Sequence, residues 1–412
     1  MKSIVLIVLL SIITVSCLSQ LSPEPELATD FDLFSSNPEL PNDFAQNELN
    51  GVYKVISDHG EVWGDIVVCK YIRERLCIYS SKDAVFVESW GGFLGDSLHL
   101  SGIMRIIRSG DGTRIKLVVK KSEGAESLFN SLKPSQIIIR GCTADGDSLI
   151  LSRVSNLIES DKIVIAHRGG CRNSERIGIS ENSIEMMKYA EILGADGIEI
   201  DVKRTKDDQL IIFHDDTFSP RTVQGAYLLG NVAEFTYNQI RTFGRLIHGE
   251  IIPTLDEALK TVIDNTNLSW VWLDIKDTAQ STTDKTISAQ KHFIDYAKVK
   301  GRNIHILFGI PTQDILDRYD KSKDANTQDV LVEIGSQQAI ELETCKAWGP
   351  RWTKEVDDDA NIGTILSKRI NIFLWTVDLK ESIENCFKKD SKITGIVSNY
   401  PTLVSAIKYS KK

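Results

Sequence analysis

The chain has 412 residues, 42% of them hydrophobic and 25% charged, with a formal net charge of −9. That length asks for two domains rather than one, and the composition is that of a globular protein. The negative balance excludes non-specific nucleic-acid binding, which needs a basic face to neutralise phosphates. It leaves room for a small anionic substrate, because one local cation outweighs a global sign.

The first element is an apolar leader. After Lys2, the run Ile4 to Val15 is broken only by Ser11 and Thr14. It is too short to span a bilayer and has the shape of a secretory signal, read here as residues 1–19. Two kinds of processing are compatible with it. Thr14-Val15-Ser16-Cys17 is similar to a bacterial lipobox, with Thr14 where Leu is usual, and would lipidate Cys17. Small side chains at Cys17 and Ser19 also suit ordinary cleavage after Ser19. The expected location is therefore the cell envelope, lipid-anchored or periplasmic, or the medium outside the cell. Membrane contact, if any, would run through the lipid.

Residues 20–48 follow. From Leu21 to Glu48 there are seven acidic residues, no Lys or Arg, and four of the ten prolines. Such a stretch cannot bury enough apolar surface to offset its ordering entropy, so a flexible tether is predicted. Residues 49–155 then look all-β. Short Val- and Ile-rich runs such as Ile66–Val68, Leu76–Tyr79 and Lys116–Val119 alternate with turn clusters such as Ser109-Gly110-Asp111-Gly112. This predicts a small sandwich or barrel with no chemical constellation and a spacer or binding role.

Beyond about residue 160 the rhythm changes to βα repetition. Strands are predicted at Ile163–Ala166, Gly197–Val202, Leu210–Phe213, Trp270–Ile275, Ile304–Phe308, Val330–Ile334, Ile372–Thr376 and Gly395–Val397, with amphipathic helices between. Eight strands over residues 160–412 predict a TIM-type (β/α)8 barrel preceded by the small all-β domain. A doubly wound sheet is disfavoured, because no Gly-rich dinucleotide turn follows the first strand. A chain starting near Ser155 is expected to fold and keep the chemistry. Of the seven cysteines, none has CxxC or zinc spacing, and buried free thiols are expected for most.

The active site of such a barrel lies at the C-terminal ends of its strands. Strand one ends in His167-Arg168-Gly169. In Gly197-Ile198-Glu199-Ile200-Asp201-Val202 apolar residues alternate with carboxylates, so Glu199 and Asp201 share one face. With the apolar face turned to the helices, both acids point into the barrel. Two like charges there need a cation, and oxygen ligands suit a hard divalent one. Asp274 ends another strand and shares its face with Lys276, which suits an anionic oxygen beside a metal. His167 and His214 are the acid–base candidates, since only His titrates near neutrality unperturbed. Arg168 suits bidentate binding of phosphate. A structural salt bridge is the alternative for Arg168 and for Asp274 with Lys276.

These residues fall in motifs that resemble a known family. His167-Arg168-Gly169, Glu181-Asn182-Ser183, Ala195 to Val202, Ile211-Ile212-Phe213-His214-Asp215-Asp216 and Ile252 to Leu259 look like glycerophosphodiester phosphodiesterases, in the right order. Phe373 to Val377 and Gly395 to Pro401 are similar to that family's last two strands. The resemblance covers Lys162–Ile407 and nothing before it. It implies hydrolysis of a small glycerophosphodiester to an alcohol and sn-glycerol 3-phosphate. His167 would be base and His214 acid. Glu199, Asp201 and Asp274 would hold Ca²⁺ or Mg²⁺, and Arg168 and Lys276 would bind phosphate.

Asp274 stands where that family usually has Glu, and Glu181-Asn182-Ser183 replaces Glu-Asn-Thr without the preceding Pro. Glu181 heads a predicted helix, where an acid also complements the helix dipole. Trp375 either flanks the substrate or packs at the barrel top. The rival readings are a phosphodiesterase of lysophospholipase D type, favoured by a greasy barrel mouth, and a catalytically weakened envelope binding lipoprotein, favoured by the shorter Asp274.

Overall fold

The computed structural model describes residues 37–57, 60–225, 228–354, 356–388 and 391–410. The expected signal segment and Cys17 lie outside the described residues, as does the first part of the expected tether. Among the described residues no helix is long and apolar enough to cross a membrane.

Eight antiparallel strands form the first domain: β1 (Gly51–Val55), β2 (Ile66–Ile72), β3 (Arg75–Ser80), β4 (Val85–Leu94), β5 (Ser97–Ile106), β6 (Asp111–Val119), β7 (Ile138–Thr143) and β8 (Ser148–Ser155). Each pairs with its neighbour in the sequence, and β1 with β8 closes a barrel. Closure leaves no open sheet edge. Strand alternation sends Val67, Cys69, Leu76, Ile78, Leu98, Leu100, Ile115 and Leu117 inward to a core around Tyr53. The opposite faces of β2 to β4 are also apolar. Val68, Cys77, Tyr79 and Phe86 point outward, yet all are buried against the second domain.

Residues 43–49, of which 43–48 were read in the sequence as the end of the tether, are a helix. Asn42 caps it, its Oδ1 accepting from Ala45 N at 2.9 Å. Ala45 and Leu49, four apart and so on one face, are fully buried on the first core. Burial of that narrow stripe orders a segment whose composition is otherwise that of a linker.

The second domain is an eight-stranded parallel barrel. Its strands are β9 (Ile163–Ala166), β10 (Gly197–Arg204), β12 (Trp270–Ile275), β13 (His305–Ile310), β14 (Val330–Val332), β15 (Cys345–Trp348), β16 (Asn371–Leu374) and β17 (Gly395–Ser398). The intervening β11 (Leu210–Ile212), predicted as the third barrel strand, instead folds back antiparallel on β10. The turn Thr205 to Gln209 is too short for a crossover helix, which parallel strands need. The eighth place is taken by Cys345–Trp348, a run too short and mixed to stand out by pattern.

The two barrels share one apolar cluster. The helix Pro401–Ser410, buried from Pro401 through Lys408, lies against β2 and β3. Tyr79 donates its hydroxyl to Ile192 O at 2.8 Å, and Lys70 Nζ meets Tyr409 Oη at 3.0 Å. Gly194 lets the chain pass here. Its φ is +89°, and a Cβ would sit 2.4 Å from Ser405 Oγ. The second barrel therefore does not own its whole core. None of the six described cysteines is in a disulfide, and all but Cys142 are buried.

Candidate active site

At the end of β9 the chain tightens into a turn over His167–Gly169, with Arg168 at φ +53°. That turn aims His167 across the barrel mouth. Its Nδ1 lies 2.6 Å from Asn399 Oδ1, just past β17. The Asn399 amide is fixed in turn. Its Nδ2 and backbone N donate to the Asp378 carboxylate at 2.6 and 2.9 Å, and Ser398 Oγ donates there at 3.0 Å. With the Asn399 amide nitrogen so used, its oxygen faces the ring and takes the Nδ1 proton. Nε2 is left with a free lone pair, 3.8 Å from Glu199 Oε2. Burial, reinforced by the Arg168 charge, pushes His167 down to about 4, so the ring is neutral near pH 7.

β10 carries Glu199 and Asp201, 4% and 0% exposed, between the outward Ile198, Ile200 and Val202. The parallel register sets Asp274 of β12 directly beside Asp201. One oxygen from each of the three carboxylates lies within 4.8 Å of the others. Some of their oxygens are satisfied: Glu199 Oε2 accepts from Arg168 N at 2.9 Å, and Asp201 Oδ2 from Asn182 Nδ2 at 2.7 Å. Lys276 Nζ bonds Asp274 Oδ2 and lies 3.3 Å from Asp201 Oδ1. Glu199 Oε1 and Asp274 Oδ1 are buried with no hydrogen-bond donor.

This is a site with surplus negative charge. Burial, then Asp201 and Asp274, pushes Glu199 well above the usual carboxylate range. Burial also raises Asp274 despite Lys276 beside it. For Asp201 burial acts upward too, but Lys276, His214 and Arg168 outweigh it and hold it low. Orphaned oxygens on hard ligands, at strand ends, are what a divalent cation with oxygen coordination needs, so the residues fit one.

His214 follows β11 at the mouth of the barrel. Its Nδ1 is 2.8 Å from Asp215 Oδ1, and Arg221 Nη2 holds the other Asp215 oxygen at 2.6 Å. Burial pushes Asp215 up, but the bonds from Arg221 and His214 bring it below its ordinary value. The two histidines thus have different backing, an amide for His167 and a carboxylate for His214.

Arg168 turns out to be paired as well as placed. Its Nη1 meets Glu181 Oε1 at 2.8 Å, while its Nε is buried without a partner. Glu181 does not head the helix. Ser183 is the N-cap of Ile184–Tyr189, and the Glu181 carboxylate binds Arg168 and Asn173 N instead. Trp375 donates from its ring nitrogen to Gly349 O at 2.6 Å and lies 5.5 Å from the Arg351 guanidinium, packed at the barrel top.

Several site residues went unassigned in the sequence. Asn182, within the Glu181-Asn182-Ser183 motif, orients Asp201. Asn399 and Asp378 set the His167 tautomer, with the Ser398-Asn399-Tyr400 motif as the only signal. Glu333, just past β14, is a fourth, half-buried acid. Burial, then Asp274, raises it well above its usual value, and its Oε1 has no partner.

A family model described as the glycerophosphoryl diester phosphodiesterase family matches residues 167–403, the stretch that carries every one of these side chains and leaves out the β-domain. The chain belongs to this family. Among curated members, a glycerophosphodiester phosphodiesterase of Caldanaerobacter subterraneus subsp. tengcongensis is 43% identical over 108 residues, covering 25% of this chain and 41% of its own. A Bacillus subtilis glycerophosphodiester phosphodiesterase is 26% identical over 284 residues, covering 61% and 89%. The chain thus spans about two fifths of the first of these family members and most of the second. A solved glycerophosphodiester phosphodiesterase from Parabacteroides distasonis matches with 21% identity and a TM-score of 0.46, over 61% of this chain and 98% of its own.

Proposed function

We propose that the protein hydrolyses glycerophosphodiesters to an alcohol and sn-glycerol 3-phosphate in a metal-dependent reaction. The observation that carries this reading is the cluster of Glu199, Asp201 and Asp274, with orphaned buried oxygens, beside a base-ready His167 Nε2. Family membership supplies the substrate class.

A hard divalent cation, Ca²⁺ or Mg²⁺, held by Glu199, Asp201 and Asp274, would neutralise and polarise the phosphoryl oxygens. The chain's own groups do the rest. Arg168, through its free edge, and Lys276 bind phosphate oxygens and fix its orientation. His167 Nε2 takes the proton of the attacking hydroxyl, whether that belongs to water or to the glycerol 2-position. His214, its Nδ1–H held by Asp215, delivers a proton from Nε2 to the departing alcohol oxygen. One proton is taken and one given: with water as attacker, water adds across the P–O bond directly, and with the glycerol 2-hydroxyl the alcohol leaves a cyclic phosphate that water then opens with the two histidine roles reversed.

The site is not that of a pure binder. Asp274 reaches the other carboxylates despite its shorter side chain, and both imidazoles are backed by hydrogen bonds a binder does not need. The leader and Cys17 support export with a lipid anchor. Release of choline or ethanolamine from glycerophosphocholine, glycerophosphoethanolamine and a lysophospholipid, with sn-glycerol 3-phosphate as co-product of the first two and lysophosphatidate of the third, in Ca²⁺, Mg²⁺ or EDTA, tests the reading. Turnover of the soluble diesters with either cation and none in EDTA is expected; full turnover in EDTA would remove the metal, and cleavage of the lysophospholipid alone would favour the D-type enzyme.

A further inference from the structure

The all-β barrel was assigned no chemistry, yet its β5–β6 turn reaches the second barrel at the active-site end. Ile107, 2% exposed, anchors the turn in the shared apolar cluster. The next residue, Arg108, donates from Nη2 to Asp378 O at 2.6 Å and lays its guanidinium 4.2 Å from the centre of the Tyr400 ring. Asp378 is the residue whose carboxylate grips Asn399, and Tyr400 is the next residue along. Arg108 is therefore two steps from the acceptor of His167 Nδ1.

The turn also touches the opposite wall. Gly110, at φ +82°, lies so close to Arg176 that a Cβ would be 2.8 Å from its Cβ and Cδ. Arg176 closes the short turn Asn173–Glu175. Asn173 holds Glu181 from both sides, N to Oε2 at 3.0 Å and Oδ1 from Glu181 N at 2.9 Å. Glu181 is the partner of Arg168. One turn of the β-domain thus clasps the loop behind the imidazole and the loop behind the guanidinium, while contacting neither group.

We propose that the β5–β6 turn, through Arg108, is a positioning element that holds Asp378 and Asn399 in the arrangement that keeps His167 in register. The inference rests on the reading of His167 as base and gives the first barrel a part in turnover. Small displacements of a reacting group are costly, roughly 10²-fold for about 1 Å. Arg108 touches no metal-binding or phosphate-binding side chain, so its loss falls on kcat.

The test is a double-mutant cycle in the full chain with Ca²⁺ or Mg²⁺ present: Arg108→Ala, Asn399→Ala and both, with Arg108→Lys and His167→Ala alongside. Arg108→Ala is expected to lower kcat roughly tenfold. KM and Tm should stay close to those of the parent, and Arg108→Lys should restore part of the rate. In the Asn399→Ala background the same substitution should cost nothing further. An equal loss in both backgrounds, a loss in KM alone, or an unchanged kcat in a folded Arg108→Ala protein overturns the proposal. His167→Ala separates the two readings, since parent-level turnover there removes the base itself and the proposal with it.

Discussion

His167 and His214 are held by different partners, and each should show it. His167→Ala and His214→Ala are each expected to lower kcat by roughly 10²-fold or more without changing Tm greatly. Steady-state kinetics beside a thermal melt reads this, and parent-like turnover in either variant would clear that residue of a role. The carboxylates give a pH signature. Because Glu199 is raised, the metal-free folded protein keeps a proton that the unfolded chain has released. The stability tied to that proton is present at low pH and lost as pH rises through the raised value. A cation takes the proton's place. The rise in Tm on adding Ca²⁺ or Mg²⁺ should grow as pH is raised from the ordinary carboxylate range through neutrality and above. Equal increments would mean that no proton is exchanged. These residues were legible because strand alternation alone puts Glu199 and Asp201 on one face, and a strand-end position marks His167 and Asp274. Asp378 and Glu333 were not, and Asn399 showed only as part of a motif with no role attached, because each acts on a group distant in the sequence and no local pattern reports such a contact.

At the level of elements, long periodicity was legible in the sequence and short stretches of burial were not. Most barrel strands carry unbroken apolar runs. Leu210–Phe213 carries one too, but the chain between it and β10 has no room for a helix, so it folds back as a hairpin. This leaves His214 at the mouth by a different route from the one predicted. The helix Asp43–Leu49 was hidden in an acidic, Pro-rich stretch, since only Ala45 and Leu49 point inward. Leu49 is 0% exposed. Leu49→Ala should therefore destabilise the first barrel by about 3 kcal/mol, the usual scale for a buried Leu. Urea unfolding followed by Trp fluorescence measures it. A change below about 0.5 kcal/mol, typical of surface sites, would show that the helix is not docked in solution.

For the whole molecule, the sequence suggested two independent units, and the shared cluster argues against that division. Removal of residues before Ser155 would bare the face of Pro401–Ser410 together with Ile192 and the loop at Gly194. A contiguous apolar patch of that kind drives aggregation. The shortened chain is expected to express mostly insoluble, or with a Tm well below that of the full chain. A soluble, monomeric shortened protein with unchanged Tm by size-exclusion chromatography and calorimetry would restore the independent view. The amino-acid pattern showed this only in part, because the unbroken apolar run Leu76 to Tyr79 marks burial on both faces but not which element covers the second.

The contact of Lys70 with Tyr409 joins residues 339 positions apart. At ordinary synthesis rates of about 5–20 residues per second, roughly 20–70 s pass between the two leaving the ribosome. During that interval the part of β2 and β3 that faces Pro401–Ser410 has no native cover, whereas Tyr189 and Ile192, which meet Phe86 and Tyr79, emerge sooner. The first barrel can close early, since its pairings are all between neighbours apart from β1 with β8. That part of its greasy outer wall must then wait for the last helix. A holdase is expected to bind nascent chains arrested before residue 401 and to let go of those that include it. Docking of Pro401–Ser410 would thereby act as the release signal.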